Sequence, residues 1–549
     1  MKRLPTGGQW LTMLLLALVG VVPGRAQSPK DAAFLSTLGE LREASYSDKA
    51  TIAERLGQSG HPSVRAVLTA LLDSRLYYRN SDQKIFIVKS ADADPLSLID
   101  PLSLKSAGSA AASDMTQIGT NNGLRSVLRM TVAHYSLSSP DASVRTDAVR
   151  EMSRSLDEPA VALLRQRLGV ETNSGVRKEI ATALALAALE GPDGKARLDA
   201  IATLKSSVDQ DVRNRLALLL GKNGDGSFVE SDENVRKAAA GAVATIDHWR
   251  TFYSGFETLF FGLSLGSVLV LIAVGLAITF GVMGVINMAH GELMMLGAYT
   301  TYVVQSAMPD HIGISIVVAI PAAFIVAGLV GVLMERTIIR FLYGRPLETL
   351  LATFGVSLIL QQTVRSIFSA NNRSVVTPDW MSGSLRLNDA LDITWNRLYI
   401  IIFTMIVFSL ILLVLKRTRI GLDIRAVSQN RAMARAMGIR TQWVDAMTFG
   451  LGSGVAGVAG VALSQLTNVG PNLGQSYIID SFMVVVFGGV GNLWGSLIGG
   501  MSMGMVNELL EPYAGAVLAK IFVLIALILF IQARPRGLFP QKGRAAEDR

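Results

Sequence analysis

The chain has 549 residues, half of them hydrophobic and 17% charged, with a formal net charge of +8 and no cysteine. That length and hydrophobicity exclude a single soluble domain, and the missing thiols exclude disulfides, Cys-ligated metals and cysteine catalysis. The basic excess lies in short loops between apolar runs, a membrane-orientation pattern that argues against nucleic-acid binding.

Lys2 and Arg3 precede an apolar run from Trp10 to Val22, and the small residues Gly24 and Ala26 stand just before Gln27. This order predicts a secretory signal peptide over 1–26, with an uncleaved anchor as the alternative; either one exports the segment that begins at Gln27.

Residues 27–250 predict a periplasmic helical-repeat domain. A phrase recurs in which a polar or Pro-bearing turn precedes Val-Arg: HPSVR at 61–65, DASVR at 141–145, NSGVR at 173–177, DQDVR at 209–213 and DENVR at 232–236. The Asp, Asn or Ser caps a helix and the Val opens its buried face. Three phrases lie 32 and 36 residues apart, a helix-pair period that resembles HEAT-type repeats. Near 80–120 the pattern breaks into a β-hairpin or loop insertion, with the Ala/Ser/Gly-rich SAGSAAASDM read as a flexible loop. His61, His134 and His248 stand alone, so this part reads as a scaffold or docking surface rather than an enzyme.

Residues 251–549 predict a polytopic transmembrane domain. Apolar runs at 257–282, 285–306, 312–334, 349–368, 398–415, 444–466 and 517–533, with a broken run at 480–507, have lengths suited to a ~30 Å hydrocarbon core. The whole is therefore all-α: a polytopic helical membrane domain after an exported helical one. The loop 416–440 carries seven bases against the single acid Asp423, which places it in the cytoplasm. Counting from it puts residue 251 and the acidic Glu508 and Glu511 outside and the C-terminus inside. The run 480–507 must then begin and end on one side, and FGGVGNLWG marks the interruption, either a re-entrant loop or two short segments.

Polar residues inside these runs mark a path. Thr349, Thr353, Ser357, Gln361 and Arg365 recur every four residues along one helix face, and Gln362 adds a second carboxamide. Such a stripe faces a neighbouring helix or water. VINMAHGELMM places Asn287, His290 and Glu292 at the junction of the first two runs, with too few ligands for a metal. Thr353, Ser357, Gln361 and Gln362 are thus candidates to line a solute path, and Asn287, His290 and Glu292 to shape or gate it. The glycines at 450, 452, 454, 457 and 460 read as close helix packing.

GVMGVINMAHGELMMLGAY, FGGVGNLWGSLIGG and RPRGLF resemble segments of branched-chain amino-acid-type ABC-transporter permeases. ATFGVSLILQQTVRSIF, NNRSVVTPDWMSG and the exported domain look most like the urea-transporting members. The resemblance implies a non-enzymatic importer subunit of the bacterial inner membrane, binding no cofactor of its own. It implies a second permease subunit, two cytoplasmic ATPase subunits that hydrolyse ATP, and an exported solute-binding protein. The chain itself lacks a phosphate-cradling loop, since neither Gly194-Lys195 nor Gly221-Lys222 continues to Ser or Thr. QNRAMARAMGIRTQW corresponds to the ATPase-coupling loop, with Arg431, Ala432, Ala434, Arg435 and Gly438 as its candidate residues. The uncharged stripe favours urea as the solute; branched-chain amino acids and an ATP-independent channel or ion-coupled transporter are the alternatives.

Overall fold

The computed structural model describes residues 29–90, 95–224 and 226–539. The expected signal peptide, and Lys542 and Arg544 of the tail, lie outside these. Helix dominates at 71%, and among the described residues the named strands form one five-stranded and one two-stranded sheet. The chain divides into two compact units at Ile246/Asp247, with residues 208–210 grouped with the second.

The first unit opens with α1 (Pro29–Gly39), α2 (Tyr46–Gln58) and α3 (Val64–Leu72). Strands β1 (Leu76–Arg79), β2 (Ile85–Val88), β3 (Leu96–Ile99), β4 (Ser106–Ala110) and β5 (Met115–Gln117) form an antiparallel sheet in the order β4-β3-β2-β1-β5. The SAGSAAASDM segment, expected as a loop, supplies β4 and the start of β5. Every residue of β4 is exposed except Ala110, so backbone pairing with β3 holds it at the sheet edge and no apolar alternation announces it.

Helices α4 (Asn122–Ser136), α5 (Ala142–Met152), α6 (Glu158–Val170), α7 (Ser174–Ala188), α8 (Gly194–Leu204) and α9 (Gln210–Leu218) come next. Their starts show why the recurring phrase works. Asp141 Oδ1 accepts from Ser143 N, and Asn173 Oδ1 accepts from Gly175 N and Val176 N, satisfying N–H groups that a helix start leaves open. Val64, Val176, Val212 and Val235 are buried at the head of their helices. At 144–145 the roles differ: Val144 is half-buried and Arg145 goes inside, forming two 2.9 Å hydrogen bonds with the Glu171 carboxylate. The Arg145 guanidinium, with help from the Asn173 backbone and Arg167, holds Glu171 down to a pKa of about 2.

The second unit carries the membrane-length helices. Its elements are α10 (Glu233–Met283, shared with the first unit), α11 (His290–Ala307), α12 (Ile312–Thr337) and α13 (Pro346–Phe368). The hairpin β6 (Ser384–Asn388)–β7 (Leu391–Thr394) precedes α14 (Trp395–Arg417), α15 (Arg419–Gln429), α16 (Arg431–Ala436) and α17 (Thr441–Ser464). Last come α18 (Leu473–Gly488) and α19 (Leu493–Ala533). Among the described residues six helices are long and apolar enough to cross a membrane: α10, α12, α13, α14, α17 and α19. The interrupted run resolves into two helices, α18 and the first part of α19, separated by 489–492. At 41 residues α19 would span about 60 Å if straight; instead Gly515, at φ 76°, interrupts it just after Pro512.

The glycine-rich α17 is the centre of this unit. A Cβ at Gly452 would sit 2.6 Å from Gly275 O of α10, and one at Gly450 would sit 2.7 Å from Val332 of α12. A Cβ at Gly297 of α11 would collide with the Gly457 carbonyl. Small residues let three helices approach α17 backbone to backbone.

Candidate functional site

Residues 284–289 leave α10 and enter α11 without helical structure. Asn287 organises this turn, its Oδ1 accepting from Ala289 N at 3.0 Å. Met288 N donates to Thr353 Oγ1 at 3.1 Å, which ties the turn to α13. His290 points elsewhere. Its Nε2 donates to Ile272 O of α10 at 3.0 Å, and a Cβ at Gly275 would touch its ring. The imidazole therefore pins α11 to α10 and does not join the polar stripe.

Glu292 does join it. Its Oε1 accepts from Gln361 Nε2 at 2.7 Å and from Ser357 Oγ at 3.1 Å, and the side chain is 1% exposed. Thr349, Thr353, Ser357 and Gln361 are all buried, while Leu351 and Ile359 on the opposite faces of α13 are 70% and 65% exposed. One stripe therefore fixes the side that α13 turns to the protein. Gln362 is exposed and lies outside the cluster. Arg365, one turn beyond Gln361, donates to Asn472 Oδ1 at 2.6 Å beside the start of α18.

The cluster keeps unused polar capacity. Glu292 Oε2, Asn287 Nδ2, His290 Nδ1 and Tyr299 Oη are buried without a hydrogen-bond partner among the described residues. Tyr299 stands seven residues after Glu292 on α11, hence near the same face, with its ring 4.8 Å from Phe368 of α13. The seven-residue spacing is a signal present in the sequence, and it could have added Tyr299 to the candidates. Asn472 carries no such signal, because its partner lies 107 residues away. The same holds for Asp480 of α18, which accepts from Lys520 Nζ of α19 at 2.8 Å.

The 416–440 loop, expected from the resemblance to contact an ATPase, holds a second group. Asn430 caps α16 through Met433 N at 2.9 Å. Arg431 binds both oxygens of the buried Asp445 in α17, with its guanidinium 4.0 Å over the Tyr343 ring. Ala434 is buried, whereas Ala432, Arg435 and Gly438 are exposed. The Arg431–Asp445 pair thus ties the start of α16 to the central glycine-rich helix. No group of three or more metal-ligating side chains is present among the described residues.

Comparison with known proteins covers the second unit. Residues 258–532 match the family model for the branched-chain amino acid transport system permease component. The chain is 30% identical over 293 residues to the high-affinity branched-chain amino acid transport system permease protein LivH of Salmonella typhimurium, covering 51% of this chain and 94% of the relative. It is 28% identical over 296 residues to the corresponding protein BraD of Pseudomonas aeruginosa, covering 52% and 96%. A more distant relative, the ribose import permease protein RbsC of Haemophilus influenzae, is 24% identical over 274 residues, covering 48% and 81%. No solved structure matches the chain. The buried polar stripe, the glycine-built helix core and the match across that whole unit agree, and the chain belongs to the family of branched-chain amino acid transport system permease components.

Proposed function

We propose that the chain is the permease subunit of an ATP-driven importer whose solute is a branched-chain amino acid. It would pair with a second permease subunit, two ATPase subunits and an exported solute-binding protein, with the first unit periplasmic and the 416–440 loop cytoplasmic. The observation that carries the choice of solute is Glu292. From Thr349 to Gln361 the stripe is uncharged, which favours urea; folding brings the buried Glu292 carboxylate against it, and Arg365 continues the stripe one turn beyond Gln361. A zwitterion needs charged or helix-terminus partners along its path, and a neutral amide needs neither. The relatives named for branched-chain amino acid transport point the same way.

In this reading Thr353, Ser357 and Gln361 line the path when α13 moves away from α11. Asn287 and Glu292 shape its α11 side, and His290 holds that side in place. The coupling residues Arg431 and Ala434 transmit ATPase motion to α17. A second reading, urea, rests on the resemblance of ATFGVSLILQQTVRSIF, NNRSVVTPDWMSG and the first unit to urea-transporting members, the first unit lying outside the 258–532 match. Uptake of labelled leucine and labelled urea by the reconstituted transporter, each with its solute-binding protein, decides between them. Leucine uptake abolished by Glu292→Gln supports the first reading. Urea uptake indifferent to Glu292→Gln overturns it.

A further inference from the structure

Arg336 lies in the last turn of α12, Arg435 in the last turn of α16, and Arg440 stands directly before α17. With Thr441, Gln442 and Trp443 they line an open cavity of about 710 Å³. No acidic side chain lines it. Among the described residues Arg435 and Arg440 have no ion-pair partner, in contrast to Arg431 with Asp445, and Arg336 has only the neighbouring Glu335 at 3.7 Å. Arg435 Nη2 is 3.4 Å from Thr441 Oγ1, which keeps it at the cavity wall. The α17 start has no side-chain cap, so its free N–H groups add to the positive field.

The surroundings say which anion fits. The Arg336 guanidinium lies 5.9 Å from the Trp443 ring centroid, and Trp443 is half exposed at the end of a membrane-length helix. Trp and Arg at a helix end mark the headgroup layer of a bilayer. Below Arg336, Leu333 and Leu329 repeat on the same face of α12 and are both exposed, forming an apolar track from the cavity along the helix. A soluble phosphate or an acidic protein surface would use the arginines but not the track.

We propose that Arg336, Arg435 and Arg440 form a site for the phosphate headgroup of an anionic phospholipid, whose acyl chain lies along Leu333 and Leu329. The arginines give the headgroup charge-assisted hydrogen bonds, and Trp443 flanks it in the interface. The full-length chain, purified in mild detergent and titrated with phosphatidylglycerol, phosphatidylcholine or inorganic phosphate, is read by native mass spectrometry. Wild type retains phosphatidylglycerol over phosphatidylcholine, each Arg→Gln change weakens this about fivefold, and Leu333→Ser weakens it with the charges intact. An R417Q/R419Q variant, altered at another basic helix end, retains the preference. Equal lipid retention by wild type and R336Q/R435Q/R440Q overturns the proposal. So does full displacement by inorganic phosphate, which makes it a free-anion site. Loss of ATPase co-purification with lipid retention unchanged in the triple variant also overturns it, reassigning the arginines to a protein interface. The exposed single variant R440Q gives the same reading if the triple variant does not fold.

Discussion

Gln361 Nε2 donates to Glu292 Oε1 at 2.7 Å, and this bond joins two helices through residues 69 positions apart. A carboxylate acceptor makes it one of the stronger classes of buried bond, about 1.5–3 kcal/mol. Gln361→Leu removes the donor and leaves Glu292 with Ser357 alone. Solute uptake in proteoliposomes should fall roughly tenfold or more, with the protein still present at normal levels. Gln362→Leu, one residue on but exposed, should transport as wild type.

Gly297 and Gly355 give a steric contrast. A Cβ at Gly297 runs into the Gly457 carbonyl of α17, and one at Gly355 meets nothing within 4 Å. Overpacking of this kind costs about 1–3 kcal/mol. Gly297→Ala should lower the thermal midpoint of the purified protein and its yield, and Gly355→Ala should leave both unchanged.

Lys520 and Asp480 pair between helices of the membrane unit, with Asp480 buried and Lys520 half exposed. Lys520→Leu leaves a buried carboxylate without its cation, whereas Lys520→Leu with Asp480→Leu removes both. The single variant should be markedly less stable in a detergent melt, and the double variant should recover most of the loss. A double variant as unstable as the single would rule out the ion pair as the cause.

Glu171 sets an acid limit for the first unit. Its pKa falls from 4.5 to about 2 because Arg145 binds the carboxylate. A lowered folded-state value means the stabilisation is complete above the unfolded pKa and is lost as pH falls through the folded one. Protection of α5 and α7 amides against hydrogen exchange, relative to the intrinsic rate at each pH, should therefore fall between about pH 4.5 and pH 2. In Glu171→Gln this pH dependence should be absent and exchange should be faster at neutral pH.

Much of the membrane unit is legible in the sequence because lipid imposes a single long-range rule on every spanning segment. Each apolar run predicted from 257 onward falls largely on helix, and the FGGVGNLWG interruption falls on the 489–492 break. The period-four stripe on α13 identifies its buried side, since polar atoms at lipid depth must face protein. The partner it meets there is not legible. The acid at 292 and the amide at 361 belong to different runs, and no local pattern says that they touch. His290 misleads for the same reason: three nearby polar residues read as one cluster, but a helix start sends positions 290 and 292 to different neighbours. In the first unit, caps at Asp141 and Asn173 can be read from spacing, while β4 is an exposed edge strand with no side-chain signature.

The break at 489–492 has a consequence for biogenesis. Leu538 N donates to Phe487 O at 2.8 Å, Phe539 N to Gly488 O at 3.2 Å, and Asn492 Nδ2 to Phe539 O at 3.3 Å. The last described residues thus satisfy two carbonyls that the end of α18 leaves open and hold the Asn492 side chain that caps α19. A chain that stops at Arg534 lacks these bonds and should yield less folded protein in the membrane than one that continues through Phe539.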